Sequence, residues 1–238
     1  MPSPPPHDSA GTILLIGASR GLGHAMAAEF LKKGWSVVGT VRGSSRTPLH
    51  DLADAYRDRA EVEHHDVTEP DQIGALHTRL SGRRFDILFV NAGTANTNQD
   101  ETIAETSTEE FVRVMITNAL SPMRVVERLQ DLVASDGMIG VMSSGQGSVG
   151  NNTNGGHEVY RGSKAALNQY MRSYAARHAG ERRALVLMAP GWIRTELGGP
   201  NAPFGMEETI PEIVNVLLAQ RGKPGLRYLD RNGNIVPW

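Results

Sequence analysis

Five short apolar runs rich in branched residues, Thr12–Ile16, Ser36–Val41, Asp86–Val90, Met138–Met142 and Ala184–Met188, recur along the chain with longer mixed segments between them. Each is of strand length and largely apolar without strict alternation, the pattern of a strand buried on both faces of a parallel sheet. Glu61–His65 is a weaker strand candidate, and Leu226–Asp230 reads as a last strand before the turn signal Asn232-Gly233. Between the runs, Leu22–Lys33, Asp71–Leu80, Thr108–Asn118, Ser121–Ala134, Tyr160–His178 and Met206–Gln220 have helical periodicity and are rich in Glu, Ala, Leu and Arg. Ser121-Pro122 either interrupts one long helix or merely bends it. Strands alternating with helices predict an α/β fold, a doubly wound parallel sheet of about seven strands with helices on both faces.

The length of 238 residues and 39% hydrophobic content suit one domain, and no repeat or composition break marks a second. Four prolines in the first six residues can neither continue a helix nor donate to a sheet, so residues 1–11 are expected to be a disordered arm and 12–238 the domain. The opening segment lacks the basic flank and apolar core of a signal peptide. No apolar run approaches the roughly twenty residues that cross a bilayer. A formal net charge of −2, with neither sign concentrated, implies no nucleic-acid or membrane partner. The absence of cysteine excludes disulfides, thiolate metal sites and cysteine nucleophiles, and fits a cytoplasmic location. His64 and His65 sit beside Asp66, but adjacent strand residues point to opposite faces, so no metal site is predicted.

The first apolar run passes into Gly17-Ala18-Ser19-Arg20-Gly21-Leu22-Gly23, which opens a helical segment. In that strand–turn–helix context, glycines let the backbone approach a pyrophosphate, whose charge the free N–H groups of the helix start favour; this is the Rossmann-type dinucleotide site. An acid about twenty residues further on would select NAD. The second run instead ends Thr40-Val41-Arg42. Arg42, with Arg20 as a second cation, suits the extra phosphate of NADP(H).

Tyr160 and Lys164 are four positions apart in a helical segment, hence on one face. An ammonium close to a phenol lowers its pKa from about 10 and makes tyrosine a usable acid/base. No Gly-x-Ser-x-Gly elbow or hydrolase triad is recognisable.

These motifs resemble the short-chain dehydrogenase/reductase family in its compact single-domain branch. The likeness covers nearly the whole chain after the proline arm and rests on the glycine turn, Asp66-Val67, Asn91-Ala92-Gly93, Asn118, Ser143-Ser144, Tyr160 with Lys164, and Pro190-Gly191-Trp192-Ile193-Arg194-Thr195, in that order. The run Ser143–Ser148, the sixteen positions from Ser144 to Tyr160, and the ending Leu229–Gly233 with Pro237-Trp238 are similar to a carbonyl-reductase subgroup that includes sniffer-type reductases and bacterial C-factor proteins.

The resemblance implies NADPH-dependent reduction of a ketone or aldehyde. Tyr160 would be the proton donor, with Lys164 lowering its pKa and bonding the nicotinamide ribose. Ser144, or Ser143 in its place, would bond the carbonyl oxygen, and Asn118 would hold a water leading from Lys164 to solvent. The resemblance further assigns Gly17, Ser19, Arg20, Gly21, Leu22, Gly23 and Arg42 to the phosphates, Asp66 and Val67 to adenine, and Asn91, Ala92 and Gly93 to the adenosine ribose. Pro190, Gly191, Ile193 and Thr195 fall to the nicotinamide. It leaves room for a homodimer or homotetramer. A signalling or scaffold protein that keeps the cofactor without turnover is the alternative, and reduction of an activated carbon–carbon double bond is a third reading.

Overall fold

The computed structural model describes residues 10–238. The arm expected over residues 1–11 therefore lies almost wholly outside the described residues, and at its end Ala10 N–H donates to the Gly34 carbonyl (3.1 Å).

Seven parallel strands form one sheet: β1 Thr12–Ile16, β2 Ser36–Val41, β3 Ala60–His64, β4 Phe85–Val90, β5 Val133–Met142, β6 Ala184–Ala189 and β7 Gly225–Asp230, in the order β3-β2-β1-β4-β5-β6-β7. The strands are buried on both faces because successive side chains pack to opposite sides. Ile13 and Leu15 join Met26, Phe30 and Leu31 of α1 (Gly21–Lys32), Leu49 of α2 (Pro48–Ala55) and Ile213, Val214 and Leu217 of α7 (Met206–Gln220). Leu14 and Ile16 join Ile73 and Leu76 of α3 (Pro70–Arg79), Val125, Val126 and Leu129 of α5 (Ser121–Leu129), and Leu167 and Met171 of α6 (Glu158–Arg177). The expected doubly wound sheet is the one observed.

Two departures matter for the site. β5 begins at Val133, so Ala134 belongs to a strand and not to the helix expected over Ser121–Ala134. The segment from α4 (Thr108–Met115) to α5 is one continuous helical run with a π turn at Ile116–Leu120. Proline explains the turn: Pro122 has no N–H for the carbonyl of residue 118, and the ladder slips to wider spacing, Ser121 N–H donating to the Ile116 carbonyl.

The strand order reverses between β1 and β4, and in such sheets ligands bind beyond the carboxyl ends of the strands at that switch point. Gly17 follows β1, Asn91 follows β4, and Ser143-Ser144 follow β5, so the predicted motifs converge on one edge.

Candidate active site

The glycine turn is built for close backbone approach. Gly17 (φ +85) and Gly21 (φ +56) take left-handed conformations, and a Cβ on Gly23 would fall 2.0 Å from the Gly17 carbonyl oxygen. Thr40 fixes the turn from β2, its hydroxyl accepting from Gly17 N–H (2.9 Å) and its carbonyl from Ala18 N–H (2.8 Å). Asn91 fixes it from β4 by donating its amide to the Gly17 carbonyl (2.8 Å). Ser19 is partly buried, Leu22 packs against the core, and Ala92 packs against the opposite cluster. The start of α1 carries no acidic residue and no side-chain cap, leaving its N–H groups and positive dipole end for an anion.

Arg42 is exposed at the end of β2 and has no carboxylate partner among the described residues. Arg20 differs from the expectation: its guanidinium pairs with Glu196 (2.9 Å) at the surface. Asp66 organises its own turn, its carboxylate accepting from Thr68 N–H (2.9 Å) and Thr68 hydroxyl (2.7 Å), while Val67 is buried beside it. Pro190 is buried, Gly191 has φ +90, Ile193 is bridged to Phe204, and the Thr195 hydroxyl accepts from Gly198 N–H (3.0 Å).

Tyr160 lies in the first turn of α6, partly exposed, with its hydroxyl near the Ser144 side chain. Burial raises its pKa above the usual tyrosine value of 10, the Ser144 hydroxyl opposes that rise, and the nearby Tyr228 adds to it. Lys164 is 3% exposed, and its Nζ lies 5.8 Å from the Tyr160 ring centre. The i, i+4 spacing does bring the pair together, but the ammonium donates to the Met142 carbonyl at the end of β5 (2.9 Å) instead of to the phenol. Burial pulls Lys164 itself down to about 8. Burial, and not Lys164, sets the direction of the Tyr160 shift in this arrangement.

The two serines divide clearly. Ser143 is buried and donates to Asn168 Oδ1 (2.6 Å), and Asn168 Nδ2 donates onward to the Gly147 carbonyl (3.1 Å). Ser144 caps the 3-10 turn Gly145–Gly147, its Oγ accepting from Gln146 N–H (3.1 Å), and faces Tyr160. Asn118 is fully buried in the π turn. Its amide donates to the Thr94 carbonyl (2.7 Å) and Ser163 Oγ (2.9 Å), and its Oδ1 accepts from Thr94 N–H (2.8 Å). Both amide hydrogens are spent on protein. A Cβ on Gly93 would lie 3.4 Å from both Asn118 Oδ1 and Lys164 Nζ, which places those three residues together.

Sequence reading missed three supports. Tyr228 donates its hydroxyl to the Ser144 carbonyl, Asn168 anchors Ser143 and Gly147, and Ser163 links Asn118 to the Tyr160 carbonyl (2.7 Å). Asn168 follows Lys164 by one helical turn, a spacing that signals its position; Tyr228 sits in β7 and carries no such local signal.

A family model described as Enoyl-(Acyl carrier protein) reductase matches residues 17–216. A structure from Burkholderia multivorans with bound NADP, provisionally described as a short-chain dehydrogenase/reductase, is 66% identical, with 96% of this chain and 99% of that one covered and a TM-score of 0.95. The chain belongs to the short-chain dehydrogenase/reductase family. A carbonyl reductase from Pseudomonas aeruginosa in complex with NADP is 33% identical over 97% of this chain and 100% of that one, with a TM-score of 0.88. C-signal from Myxococcus xanthus is 30% identical over 166 residues, 69% of this chain and 99% of that protein. The sheet, glycine turn and tyrosine–lysine pair of this reductase-family chain are accounted for together by that membership. No helix among the described residues is long and apolar enough to cross a membrane.

Proposed function

We propose that this protein reduces a ketone or aldehyde to an alcohol with NADPH, reversibly, with Tyr160 as the acid in reduction and the base in oxidation. The observation that carries this reading is the grouping of the Tyr160 hydroxyl, the Ser144 side chain and the buried Lys164 at the carboxyl end of β5. Tyr160, held protonated by burial, has the proton that a developing alkoxide takes up. The Ser144 hydroxyl fixes the carbonyl oxygen against that phenol, and Tyr228 and Asn168 keep the Ser144 backbone from drifting. Lys164 holds positive charge next to the reacting oxygen, and Asn118, buried beside it, would hold a water through which the proton on Tyr160 is restored.

The chain fits a dinucleotide: the cradle a Gly23 Cβ would fill, the uncapped start of α1, and Arg42, unpaired among the described residues, match its pyrophosphate and 2′-phosphate. When bound, NADPH supplies the hydride. Gly17, Ser19, Gly21, Leu22 and Gly23 would hold the pyrophosphate, and Asp66, Val67, Asn91, Ala92 and Gly93 the adenosine. Lys164, Pro190, Gly191, Ile193 and Thr195 would hold the nicotinamide half. Arg42 is the main 2′-phosphate ligand, because Arg20 must first leave Glu196.

Arg42→Ala is expected to raise the KM for NADPH about 30-fold, the loss of roughly 2 kcal/mol of charge-assisted hydrogen bonding, with little change for NADH. Steady-state kinetics with both cofactors checks it; equal effects on both would remove Arg42 from the phosphate site. Gly23→Ala is expected to cost about 1–3 kcal/mol of stability from overpacking. Fluorescence titration of that variant should show NADPH binding weakened by at least about tenfold, since the turn must open to admit the methyl group.

The similarity to C-signal keeps a signalling role without turnover in view. A biological output that survives loss of the Tyr160 proton donor would favour it. Product analysis separates carbonyl reduction from saturation of a carbon–carbon double bond.

A further inference from the structure

Leu229–Gly233 and Pro237-Trp238 carry part of the likeness to carbonyl reductases, yet the reaction above uses neither segment. In the fold they form a hook behind the catalytic loop. Asp230 closes its turn: the carboxylate Oδ1 accepts from the N–H groups of Asn232 and Asn234 (both 2.8 Å), and the Asp230 N–H donates to the Asn234 carbonyl (2.9 Å). Gly233 supplies the left-handed residue that the reversal needs (φ +83). The chain then runs back antiparallel along β7, an edge strand of the sheet, with Leu229 bridged to Ile235 and Val236 N–H donating to the Tyr228 carbonyl (2.8 Å). That path brings the Trp238 ring against the Tyr228 ring, centroids 5.4 Å apart and tilted by 49°. The Arg172 guanidinium of α6 lies over the Trp238 ring at 4.4 Å.

Tyr228 and Trp238 each reach the segment that follows β5. Tyr228 is in register with Leu187 of β6, which is in register with Val141 of β5, and the Tyr228 hydroxyl crosses towards β5 to donate to the Ser144 carbonyl. The direction of so long a side chain is set by what lies against its ring, and one such neighbour is Trp238. Trp238 also holds the loop directly, its main-chain oxygen accepting from Gly150 N–H (2.9 Å). The fit there is close: a Cβ on Gly150 would lie 3.1 Å from that oxygen. With the Asn168 amide on the Gly147 carbonyl (3.1 Å), residues 144–150 are held from Tyr228, Asn168 and Trp238, and the first and last of these holds involve the hook.

We infer that Trp238 is a positioning residue for carbonyl reduction: it seats Tyr228 and Gly150 so that the segment between them presents the Ser144 hydroxyl to the substrate oxygen. This rests on the reductase reading above. Trp238 acts through its neighbours and touches neither substrate nor cofactor. Without the indole, the Tyr228 ring gains room to turn and carries its hydroxyl off the Ser144 carbonyl. A displacement of about 1 Å at a group that orients the reacting carbonyl is enough to lower the rate by about 10²-fold. The glycine turn and Arg42, at the ends of β1 and β2, lie across the sheet from β7, so the phosphate half of the cofactor site has no such dependence.

The test uses purified full-length protein and the fastest substrate from a panel of aromatic aldehydes and ketones. Trp238→Ala should lower kcat/KM by about 10- to 100-fold while NADPH affinity, titrated by fluorescence, stays within about twofold. Trp238→Phe keeps an aromatic face against Tyr228 and should recover the rate to within about threefold of the parent. Tyr228→Phe, which removes only the hydroxyl on the Ser144 carbonyl, should lose about tenfold, and the double variant Trp238→Ala/Tyr228→Phe should fall well short of the product of the two losses, because the first change acts through the second residue. Without substrate, amide hydrogen exchange over residues 145–152 should quicken by at least about tenfold in Trp238→Ala, with β1 unchanged. Turnover or loop exchange unaltered in Trp238→Ala, no recovery with phenylalanine, a full product of losses in the double variant, or rate and NADPH affinity falling together overturns the positioning role and leaves the reductase reading standing. No NADPH consumption by the parent protein across the panel overturns both.

Discussion

Tyr160→Phe is expected to lower kcat/KM for carbonyl reduction by about 10³-fold, within the range that a positioned general acid contributes, while NADPH affinity stays within about twofold. Phenylalanine keeps the ring, so the packing of the first turn of α6 is preserved. What disappears is the hydroxyl near Ser144, whose pKa burial raises. The variant then has to form a full alkoxide beside a buried ammonium with no proton at hand. Stopped-flow NADPH oxidation with paired binding titrations measures both quantities. A parallel loss of rate and affinity would mean that Tyr160 is structural.

Lys164→Met is expected to separate stability from turnover in the opposite sense. Lys164 is almost fully buried and has one hydrogen-bonding partner, the Met142 carbonyl, with no carboxylate against it. Its pKa in the folded protein, about 8, lies below the 10.5 of a free lysine, so folding favours the neutral amine. Below pH 8 the folded state must carry a buried charge and pays the full desolvation cost. Between about 8 and 10.5 the unfolded chain binds the extra proton, and stability rises with pH across that window. Methionine fills a similar volume without the charge. After about 1 kcal/mol is allowed for the Met142 carbonyl left unpaired, the variant should gain about 1–2 kcal/mol near pH 7. That corresponds to roughly 3–6 °C in Tm. The advantage should shrink as the pH is raised towards 10. Carbonyl reduction should fall by at least about 10²-fold at neutral pH, because charge near the reacting oxygen is lost. A destabilised variant at neutral pH would contradict the view that this lysine is kept for chemistry at the expense of the fold.

How far the sequence carries depends on the physics at each position. β1, β2 and α7 have their expected limits because apolar runs and helical periodicity are local signals. α2 went unread: it is one short helix whose capping box pairs Thr47 with His50, not with the Glu or Gln that announces such a start. The π turn was half legible. Pro122 marked the place, but the slip in the ladder depends on how α4 and α5 pack against α6. At the site, Tyr160, Lys164 and Ser144 come together as their motifs imply. The direction of the Lys164 ammonium was not legible, since it is set by a carbonyl twenty-two residues away on β5. The same is true of Arg20, which a glutamate on a distant loop engages, and of Ser143, whose partner Asn168 lies on the far side of α6's first turns. Motif order identifies which residues meet; long-range hydrogen bonds decide what each of them faces.

The most direct test follows the hydride. With NADPH deuterated on the transferred position of C4, turnover of a ketone or aldehyde substrate should give an alcohol with deuterium on the former carbonyl carbon, at a rate that collapses in Tyr160→Phe. Deuterium retained in the oxidised cofactor or lost to solvent and absent from that carbon, or a product formed equally fast without the phenol, would contradict the account.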